Sequence, residues 1–159
     1  MNESNTIKMS CTSKSEEVKQ YITFYVGDEA YGVSVKKVQS ISEMVEITYV
    51  PKAVSFIKGV INLRGAVVPV IDMRKKFNLP PKEYDSSTVI LIIEIRDRLL
   101  GLIADAVSDV VGFVKSDIRT NINFSARVDT DAIEGVGMTG ESLIILLNVD
   151  TFLKSENLV

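Results

Sequence analysis

An internal duplication is the feature of this sequence that most restricts its fold. Residues 21–26 are aromatic and β-branched, a Gly/Asp turn follows them, and residues 30–35 repeat the same character. The pattern recurs 69 positions later, where Asp97 occupies the place of Asp28. Apolar segments on both sides of such a turn are typical of a β-hairpin. The sequence therefore predicts two related hairpins, one at the start of each copy.

A second pair of matching segments lies further along the chain. Ile-Lys-Gly-Val at 57–60 matches Ile-Glu-Gly-Val at 133–136, and each copy continues into an apolar strand that ends in aspartate, at Asp72 and Asp150. Aspartate is a favourable N-cap, which predicts short helices over 73–77 and 151–154. Between the hairpin and this segment, the three-residue spacing of Val38 and Ile41 fits one helical turn.

Each copy supplies roughly five short strands, which predicts a mainly β protein with two small barrels packed together and a few short helices. Pro80-Pro81 marks the boundary, because proline continues neither a helix nor a strand ladder. We predict a first barrel over residues 19–80 and a second over 85–157, and the sequence leaves open whether strands cross between them. Residues 1–18 lack apolar periodicity and are predicted to be a flexible leader.

Composition disfavours several classes of function. The net charge is −3, which repels nucleic acid and anionic membranes, and the aromatic residues of the first hairpin lie among acidic residues instead of in a basic stripe. Histidine is absent and Cys11 is the only cysteine, so a Cys/His metal site or a disulfide framework is excluded. Without an apolar stretch long enough for a signal peptide or a membrane span, the chain is predicted to be cytoplasmic.

The acidic residues suggest no catalytic or metal site. Asp105 and Asp109 would share one face of a helix, and we interpret that face as an exposed one. Asp129 and Asp131 have the spacing of two calcium ligands but lack the further oxygen ligands of an EF-hand loop. The glycines at 135–140 precede a strand, which favours a bulge and a turn over a phosphate-binding loop. We predict no catalytic residue, metal or cofactor.

The segment 59–72 places Asn62 and Arg64 between two glycines in an otherwise apolar run. Strands are predicted over 59–63 and 66–71, with Arg64-Gly65 at the turn. The polar pair is either satisfied internally or presented to a partner, although a turn arginine is often simply solvated. We align it with Gly137-Met-Thr-Gly140 in the second copy, where the amide and the cation are missing. This difference favours partner recognition over a role in folding.

The run Ile57-Lys-Gly-Val-Ile-Asn-Leu-Arg-Gly-Ala-Val-Val-Pro-Val-Ile-Asp72 resembles the CheW-like family of bacterial chemotaxis coupling proteins, of which it is the most specific sequence feature. The resemblance extends over nearly everything after the leader and implies a CheW-like domain over residues 19–157. The family fold consists of two intertwined, five-stranded SH3-like barrels with a hydrophobic groove between them. The other matching segments are 27–32, 38–39, 89–109, 118–124 and 143–150.

The resemblance implies a non-catalytic adaptor that couples transmembrane chemoreceptors, the methyl-accepting chemotaxis proteins, to the regulatory domain of the histidine kinase CheA. The cytoplasmic tip of the receptor would lie in the groove between the barrels. The adaptor would then be cytoplasmic and recruited to membrane-anchored receptor arrays. The alternative is a small-ligand-binding or enzymatic use of the groove, which should gather titratable groups with perturbed pKa values.

The resemblance also implies specific binding residues. Arg64 either contacts the receptor or braces the groove through carbonyl groups. Arg119 and Phe124 match a kinase-binding surface, and a place in the core of the second barrel is the alternative for Phe124. Ser40 departs from the family, which often has an acidic residue there. The positions that match the receptor-binding residues are Val35, Val38, Ile41, Gly59, Asn62, Arg64, Gly65, Val89 and Val110.

Overall fold

The computed structural model describes residues 17–53, 55–120 and 132–152 of the 159-residue chain. These residues are mainly β, as predicted, with a few short helices. The strands are β1 Val18–Val26, β2 Glu29–Ser34, β3 Val38–Glu43, β4 Ile57–Leu63, β5 Ala66–Asp72, β6 Val89–Ile95, β7 Arg98–Ala104, β8 Ala106–Val114, β9 Ile118–Arg119, β10 Ile133–Thr139 and β11 Ser142–Leu147. The helices are α1 Met73–Lys76, the 3₁₀ helix Lys115–Asp117 and α2 Val149–Phe152.

The strands form two sheets that exchange hairpins. One sheet has five strands in the order β3-β6-β7-β5-β4, and the other has six in the order β9-β10-β11-β2-β1-β8. The hairpin β1–β2 therefore joins strands from the second half of the chain, and β6–β7 joins strands from the first half. The exchange depends on two parallel pairings, of β2 with β11 and of β7 with β5. Strands thus cross the boundary at residues 80–85, and neither sheet is a continuous segment of chain.

The duplication sets the register of this exchange. Val38 of β3 lies opposite Ile93 of β6, and Val107 of β8 lies opposite Phe24 of β1. Val107 lies 69 positions after Val38, and Ile93 lies 69 positions after Phe24, so the duplication relates one pair to the other. The hairpin of each copy therefore pairs with the third strand of the other copy. The repeated sequence produces a pseudo-symmetric swap.

Each sheet is closed into a barrel by the chain that follows an edge strand. After β3, Thr48 exchanges two backbone hydrogen bonds with Val60 of β4, at 2.8 and 2.9 Å, on the opposite edge of the five-stranded sheet. Strand β8 continues through the 3₁₀ helix into β9, which pairs with β10 on the far side of the six-stranded sheet. Closure satisfies backbone groups that an open edge would expose. We call the two units the five-stranded barrel and the six-stranded barrel.

The largest hydrophobic core is shared by the two barrels. Tyr31 stacks between Phe24 and Phe77, with ring centroids 6.0 and 4.9 Å apart. Burying one side chain of this size stabilises the folded state by about 2 kcal/mol. Most of the buried side chains of this core belong to the two hairpins. Swapping the hairpins therefore buries the junction between the barrels. The buried members of the shared core include Phe24, Val26, Tyr31, Val33, Ile71, Met73, Phe77, Leu91, Ile93, Leu102 and Leu147.

The segment with Val38 and Ile41 is strand β3, so the predicted helical turn is wrong. A register shift between Val38 and Ser40 marks a β-bulge against β6. A bulge adds one residue to one strand and breaks the two-residue alternation of a regular strand. The three-residue spacing that resembled a helical period is therefore produced by the bulge.

One of the two predicted N-caps is confirmed. Asp72 begins α1, and its Oδ1 accepts a hydrogen bond of 3.0 Å from the backbone NH of Arg74. Asp150 is not the cap of α2, because the helix begins at Val149, two residues earlier than predicted. The Asn148 Oδ1 accepts the bond from the Thr151 NH there, at 3.3 Å. A neutral amide thus caps α2.

A partly buried ion pair joins elements of both barrels. Arg74 of α1 follows the five-stranded barrel, and Asp105 lies where the chain passes from β7 to β8. The Arg74 Nη2 and Nε donate to the Asp105 carboxylate at 2.7 and 3.0 Å, and both side chains are 18% exposed. Asp105 also accepts from the NH of Gly27 in the β1–β2 turn, at 2.9 Å. The prediction that Asp105 lies on an exposed helical face is wrong. Asp105 lies in the β7–β8 connection, and its carboxylate bonds to α1 and to the β1–β2 turn.

A second ion pair, with reversed charges, joins the corresponding elements of the other copy, although its residues do not both occupy the duplicated positions of Asp105 and Arg74. Lys37 follows β2 as Asp105 follows β7, and Asp150 lies in α2 after β11 as Arg74 lies in α1 after β5. Their side chains are 3.0 Å apart and are 38% and 45% exposed. Exposed single pairs of this kind stabilise little, whereas bidentate, partly buried pairs are stronger. The two pairs are therefore unequal in strength.

Hydrogen bonding controls the ionisation of Asp105. Burial opposes ionisation, but the hydrogen bonds from Arg74 and Gly27 and the charge of Arg74 outweigh it, so the pKa of Asp105 lies below the usual 3.8. A carboxylate whose pKa is lowered by folding stabilises the native state above its unfolded pKa. That contribution is lost as the pH falls through the lower native pKa.

We predict that Asp105→Asn lowers the free energy of unfolding at pH 7 by about 2 kcal/mol, because Arg74 is left partly buried without its counter-charge. The matched variant Asp150→Asn should cost at most about 0.5 kcal/mol. Urea denaturation at pH 7 and pH 3 tests both. The penalty of Asp105→Asn should shrink at pH 3, because below the unfolded pKa of 3.8 protonation of the carboxylate favours the unfolded wild-type chain. Equal penalties in the two variants would contradict the unequal strengths assigned to the pairs.

Candidate partner-binding site

The hairpin tip between β4 and β5 holds Asn62, Arg64 and Gly65. Leu63 pairs with Ala66, so Arg64 and Gly65 form a two-residue turn, and both have positive φ, 52° and 89°. Positive φ at both central residues is the geometry of a type I′ turn, which matches the twist of the flanking strands. The Asn62 Oδ1 accepts a hydrogen bond of 2.9 Å from the Gly65 NH. Asn62 therefore holds the turn with its oxygen.

The Arg64 side chain is exposed at this braced tip. Within the described residues, its guanidinium forms no hydrogen bond or ion pair, and no bracing of carbonyl groups by Arg64 is seen there. An arginine at positive φ costs roughly 1 kcal/mol relative to glycine. The turn thus presents an arginine from a braced backbone without using its charge to stabilise the fold.

The register of the strands corrects the alignment of this tip with the second copy. Leu63 and Ala66 end the first hairpin, and Thr139 and Ser142 end the corresponding β10–β11 hairpin. Asn62 therefore corresponds to Met138, and the turn Arg64-Gly65 corresponds to Gly140-Glu141, one residue later than the sequence alignment placed it. The thioether of Met138 replaces the amide, Gly140 replaces the cation, and the second turn carries a carboxylate, Glu141, in place of Gly65.

Gly59 is required for close packing within the five-stranded barrel. It is buried in β4 with a φ of 156°, and a Cβ there would collide with the backbone oxygen of Thr48. Thr48 is the residue that closes the five-stranded barrel through Val60. The corresponding Gly135 is also buried, and a Cβ there would lie 2.8 Å from the Arg119 carbonyl oxygen. Both glycines permit the close approach of the closing segment.

Three of the predicted receptor-binding residues lie on the paired strands β3 and β6. Val38 and Val89 are half-buried and pack against the shared core, whereas Ile41 is 43% exposed. Val110 lies on β8 of the other barrel, opposite Ile22, and is 56% exposed. Ile41 and Val110 correspond by the duplication and lie on strands adjacent to the two hairpins that form the shared core. Each of them therefore lies on an edge strand of its sheet, next to one of these hairpins.

The remaining predicted residues lie elsewhere. Val35 is half-buried just after β2, where its NH donates to the carbonyl of Gln20 at 3.0 Å. Phe124 lies outside the described residues. Arg119 is exposed in β9 and lines a groove of about 850 Å³ on the six-stranded barrel.

This groove contains residues that the sequence reasoning missed. Tyr25, Met138 and Leu143 line it and are 43%, 48% and 58% exposed. A signal existed in the sequence: Met138 and Leu143 are large and apolar close to a hairpin turn, where polar residues are usual. The alignment error of one residue concealed that they form a cross-strand pair.

The described residues show no constellation for catalysis. Burial and a hydrogen bond to Glu134 raise the pKa of Tyr21, while burial and the charge of Asp72 raise that of Tyr84. Each hydroxyl donates to its carboxylate, at 2.8 and 3.0 Å, so each tyrosine is held neutral in a local contact. Over 17–53, 55–120 and 132–152, no three metal-ligating side chains come together. No helix in these ranges is long and apolar enough to cross a membrane.

Comparison with known proteins identifies the family. The model of the CheW-like domain matches residues 20–157. The chain belongs to the CheW-like family. It is 36% identical to the chemotaxis protein CheW of Klebsiella aerogenes over 140 residues, which are 88% of this chain and 84% of that protein. It is 36% identical to CheW of Bacillus subtilis over 147 residues, or 92% and 94% of the two chains.

A solved structure of a CheW-like protein has the same fold. The crystal structure of the scaffolding protein TtCheW from Thermoanaerobacter tengcongensis matches with a TM-score of 0.77 and 32% sequence identity. The match covers 83% of this chain and 90% of that one. The intertwined barrel arrangement described above is therefore the CheW-like fold.

We predict that Gly59→Ala destabilises the five-stranded barrel by roughly 2–3 kcal/mol, because the added methyl group collides with backbone that cannot move aside. Gly65→Ala is the matched control, since Gly65 also has positive φ but no atom lies near its missing Cβ. It should cost only about 1 kcal/mol. Thermal denaturation followed by circular dichroism compares them. A fully stable Gly59→Ala protein with impaired partner binding would contradict the structural role.

Proposed function

We propose that this protein is a non-catalytic chemotaxis adaptor that couples chemoreceptors to the histidine kinase CheA. The single observation that carries the proposal is the exposed Arg64 on a braced turn in a CheW-like fold. Relatives named chemotaxis protein and scaffolding protein support the same role. The proposed location is the cytoplasm, with recruitment to membrane-anchored receptor arrays.

The receptor tip is proposed to bind at the barrel junction. Ile41 and Val110 offer exposed apolar contacts on strands beside the shared core. A helix lying in a groove obtains affinity from such contacts and register from a few polar groups. Arg64 supplies a cation with no internal partner among the described residues, and its left-handed backbone fixes the point on the turn from which that side chain projects. Asn62 contributes indirectly by holding the turn.

The kinase is proposed to bind the six-stranded barrel through Arg119 and Phe124. Arg119 is exposed, and its guanidinium has no hydrogen bond or ion pair within the described residues. Arginine is enriched among residues that dominate the energy of protein interfaces. The kinase and the receptor would then occupy different surfaces, which an adaptor requires.

We expect Arg64→Ala to weaken binding of a receptor-tip fragment at least about tenfold, because arginine contacts at interfaces often exceed 1 kcal/mol. Kinase affinity and the melting temperature should not change. Arg96→Ala is the control, since Arg96 is also an exposed turn arginine with positive φ, 51°. Isothermal titration calorimetry measures both variants. If Arg64→Ala stays folded and binds the receptor normally, the role of Arg64 is wrong.

Phe124→Ser should abolish binding of the CheA regulatory domain and leave receptor binding intact. A pull-down with both fragments, accompanied by a melting curve, measures this. Loss of both interactions together with a lower melting temperature would instead indicate that Phe124 belongs to the core of the six-stranded barrel.

A further inference from the structure

Arg74 connects three segments at the junction of the barrels. It lies in α1, directly after β5, whose hairpin with β4 carries Arg64. Its Nε and Nη2 donate to the Asp105 carboxylate, and its Nη1 donates to the carbonyl of Pro80 at 2.8 Å. The flat guanidinium fixes the directions of these bonds, which a flexible ammonium group could not do. Arg74 therefore holds the β7–β8 connection and the segment after α1 in one geometry.

Asp105 extends this contact to the β1–β2 hairpin of the six-stranded barrel. Its carboxylate accepts a hydrogen bond from the Gly27 NH at 2.9 Å, and its own NH donates to the Tyr25 carbonyl at 2.9 Å. Leu79 packs against the same turn, since a Cβ at Gly27 would lie 3.2 Å from the Leu79 Cδ1. The Leu79 NH donates to the carbonyl of Arg74 at 2.7 Å. We call these contacts between Arg74 and the β1–β2 turn the Arg74 clamp.

The junction at the other copy has no such clamp. Lys37 and Asp150 form a single, more exposed ion pair there. In the part of the chain that the structure describes, no hydrogen bond from either residue reaches the β6–β7 turn Arg96-Asp97. The swapped hairpin β6–β7 thus takes its place in the five-stranded barrel without one. Because the exchange of hairpins does not require a clamp, the Arg74 clamp favours a role beyond folding.

The Arg74 clamp lies between the two surfaces that an adaptor has to connect. On one side, β5 pairs with β4 and leads back to the Arg64 turn. On the other side, β1 pairs with β8, which continues through the 3₁₀ helix to Arg119. Contiguous hydrogen bonds and rigid elements can carry energetic coupling between distant sites. The clamp is such a connection between the proposed receptor surface and the proposed kinase surface.

We infer that Arg74 is a positioning residue for signal transfer: through Asp105 it fixes the β1–β2 hairpin relative to α1 and β5, so that a receptor bound at one barrel controls the kinase bound at the other. Arg74 contacts neither partner in this role. This inference rests on the proposed function, which assigns Arg64 to the receptor and Arg119 to the kinase. It adds the residues that connect these two surfaces.

Hydrogen exchange of the full chain tests whether the clamp holds the turn. Arg74→Gln removes the charge and the forked hydrogen bonds, so amides over residues 24–29 should exchange at least about tenfold faster through local opening. Lys37→Gln is the matched control, because it breaks the ion pair at the other junction. It should leave exchange over residues 24–29 unchanged. Unchanged exchange in Arg74→Gln would overturn the inference.

Kinase assays test signal transfer. The adaptor is combined at saturation with CheA and with membrane vesicles that contain a chemoreceptor, and the receptor-dependent change in CheA autophosphorylation is measured. Arg74→Gln should reduce this change at least about fivefold, the lower end of typical coupling between sites. Its affinities for a receptor-tip fragment and for the CheA regulatory domain should stay within about twofold of the wild type. Lys37→Gln should transfer the signal as the wild type does.

Two further variants distinguish positioning from stability. Arg74→Lys keeps the charge beside Asp105 but not the fork, so it should fold and recover only part of the signal transfer. If Arg74→Gln does not fold, Arg74→Lys carries both measurements. Arg74→Gln combined with Asp105→Asn should transfer the signal no worse than either single variant, because residues that act as one unit are not additive. Additive losses would overturn the assignment of Arg74 and Asp105 to one clamp.

The outcomes separate this inference from the proposed function. If the wild type binds neither fragment, the proposed function fails. If the wild type transfers the signal and a folded Arg74→Gln protein transfers it equally well, the role of Arg74 is wrong and the proposed function stands. Loss of affinity for one partner in Arg74→Gln would assign Arg74 to that binding surface and also overturn the inference.

Discussion

The exchange of hairpins between the barrels is the constraint on which the rest of the structure depends. Two parallel strand pairings make this exchange. The pairing of β2 with β11 joins the first quarter of the chain to the last, and the pairing of β7 with β5 joins the third quarter to the second. Because the hairpins carry most residues of the shared core, neither barrel can form its buried surface alone. The Arg74–Asp105 ion pair adds a polar contact where the swapped segments meet. The two barrels are therefore one folding unit.

Because the two barrels form one folding unit, the surfaces on them keep a fixed separation. A partner bound at the Arg64 tip contacts the five-stranded barrel, whereas the apolar groove lies on the six-stranded one. Apolar packing in the shared core is dense and transmits strain instead of absorbing it. Two partners can then be held at a fixed separation without any linker between their binding sites. An adaptor built from two independent domains would need such a linker to be rigid.

The sequence predicts the repeated part of the structure better than the part where the copies differ. The hairpins and the number of barrels follow from local patterns that both copies share, whereas the aspartate cap follows only in the first copy, at Asp72. The bulge at Val38, by contrast, depends on pairing with β6, and the pairing of Asp105 with Arg74 depends on the swap, which no local pattern reveals. The Met138–Leu143 pair was missed because the sequence alignment matched Gly65 with Gly140, whereas both hairpins have the same bulge and the offset of 76 between Gly59 and Gly135 pairs Asn62 with Met138. A shift of one residue in alignment changes which side chains face each other.

Divergence between the copies also separates folding from recognition. Gly59 and Gly135 remain glycine in both copies because the closing segment approaches the backbone closely at each. At the hairpin tips, no packing constraint applies: the missing Cβ positions of Gly65 and Gly140 have no neighbouring atoms. The tips were therefore free to change from an amide and a cation to a thioether and a carboxylate without loss of the fold. A duplicated scaffold with one fixed junction and two unconstrained tips provides two different binding surfaces, and their opposite charges prevent one partner from occupying both.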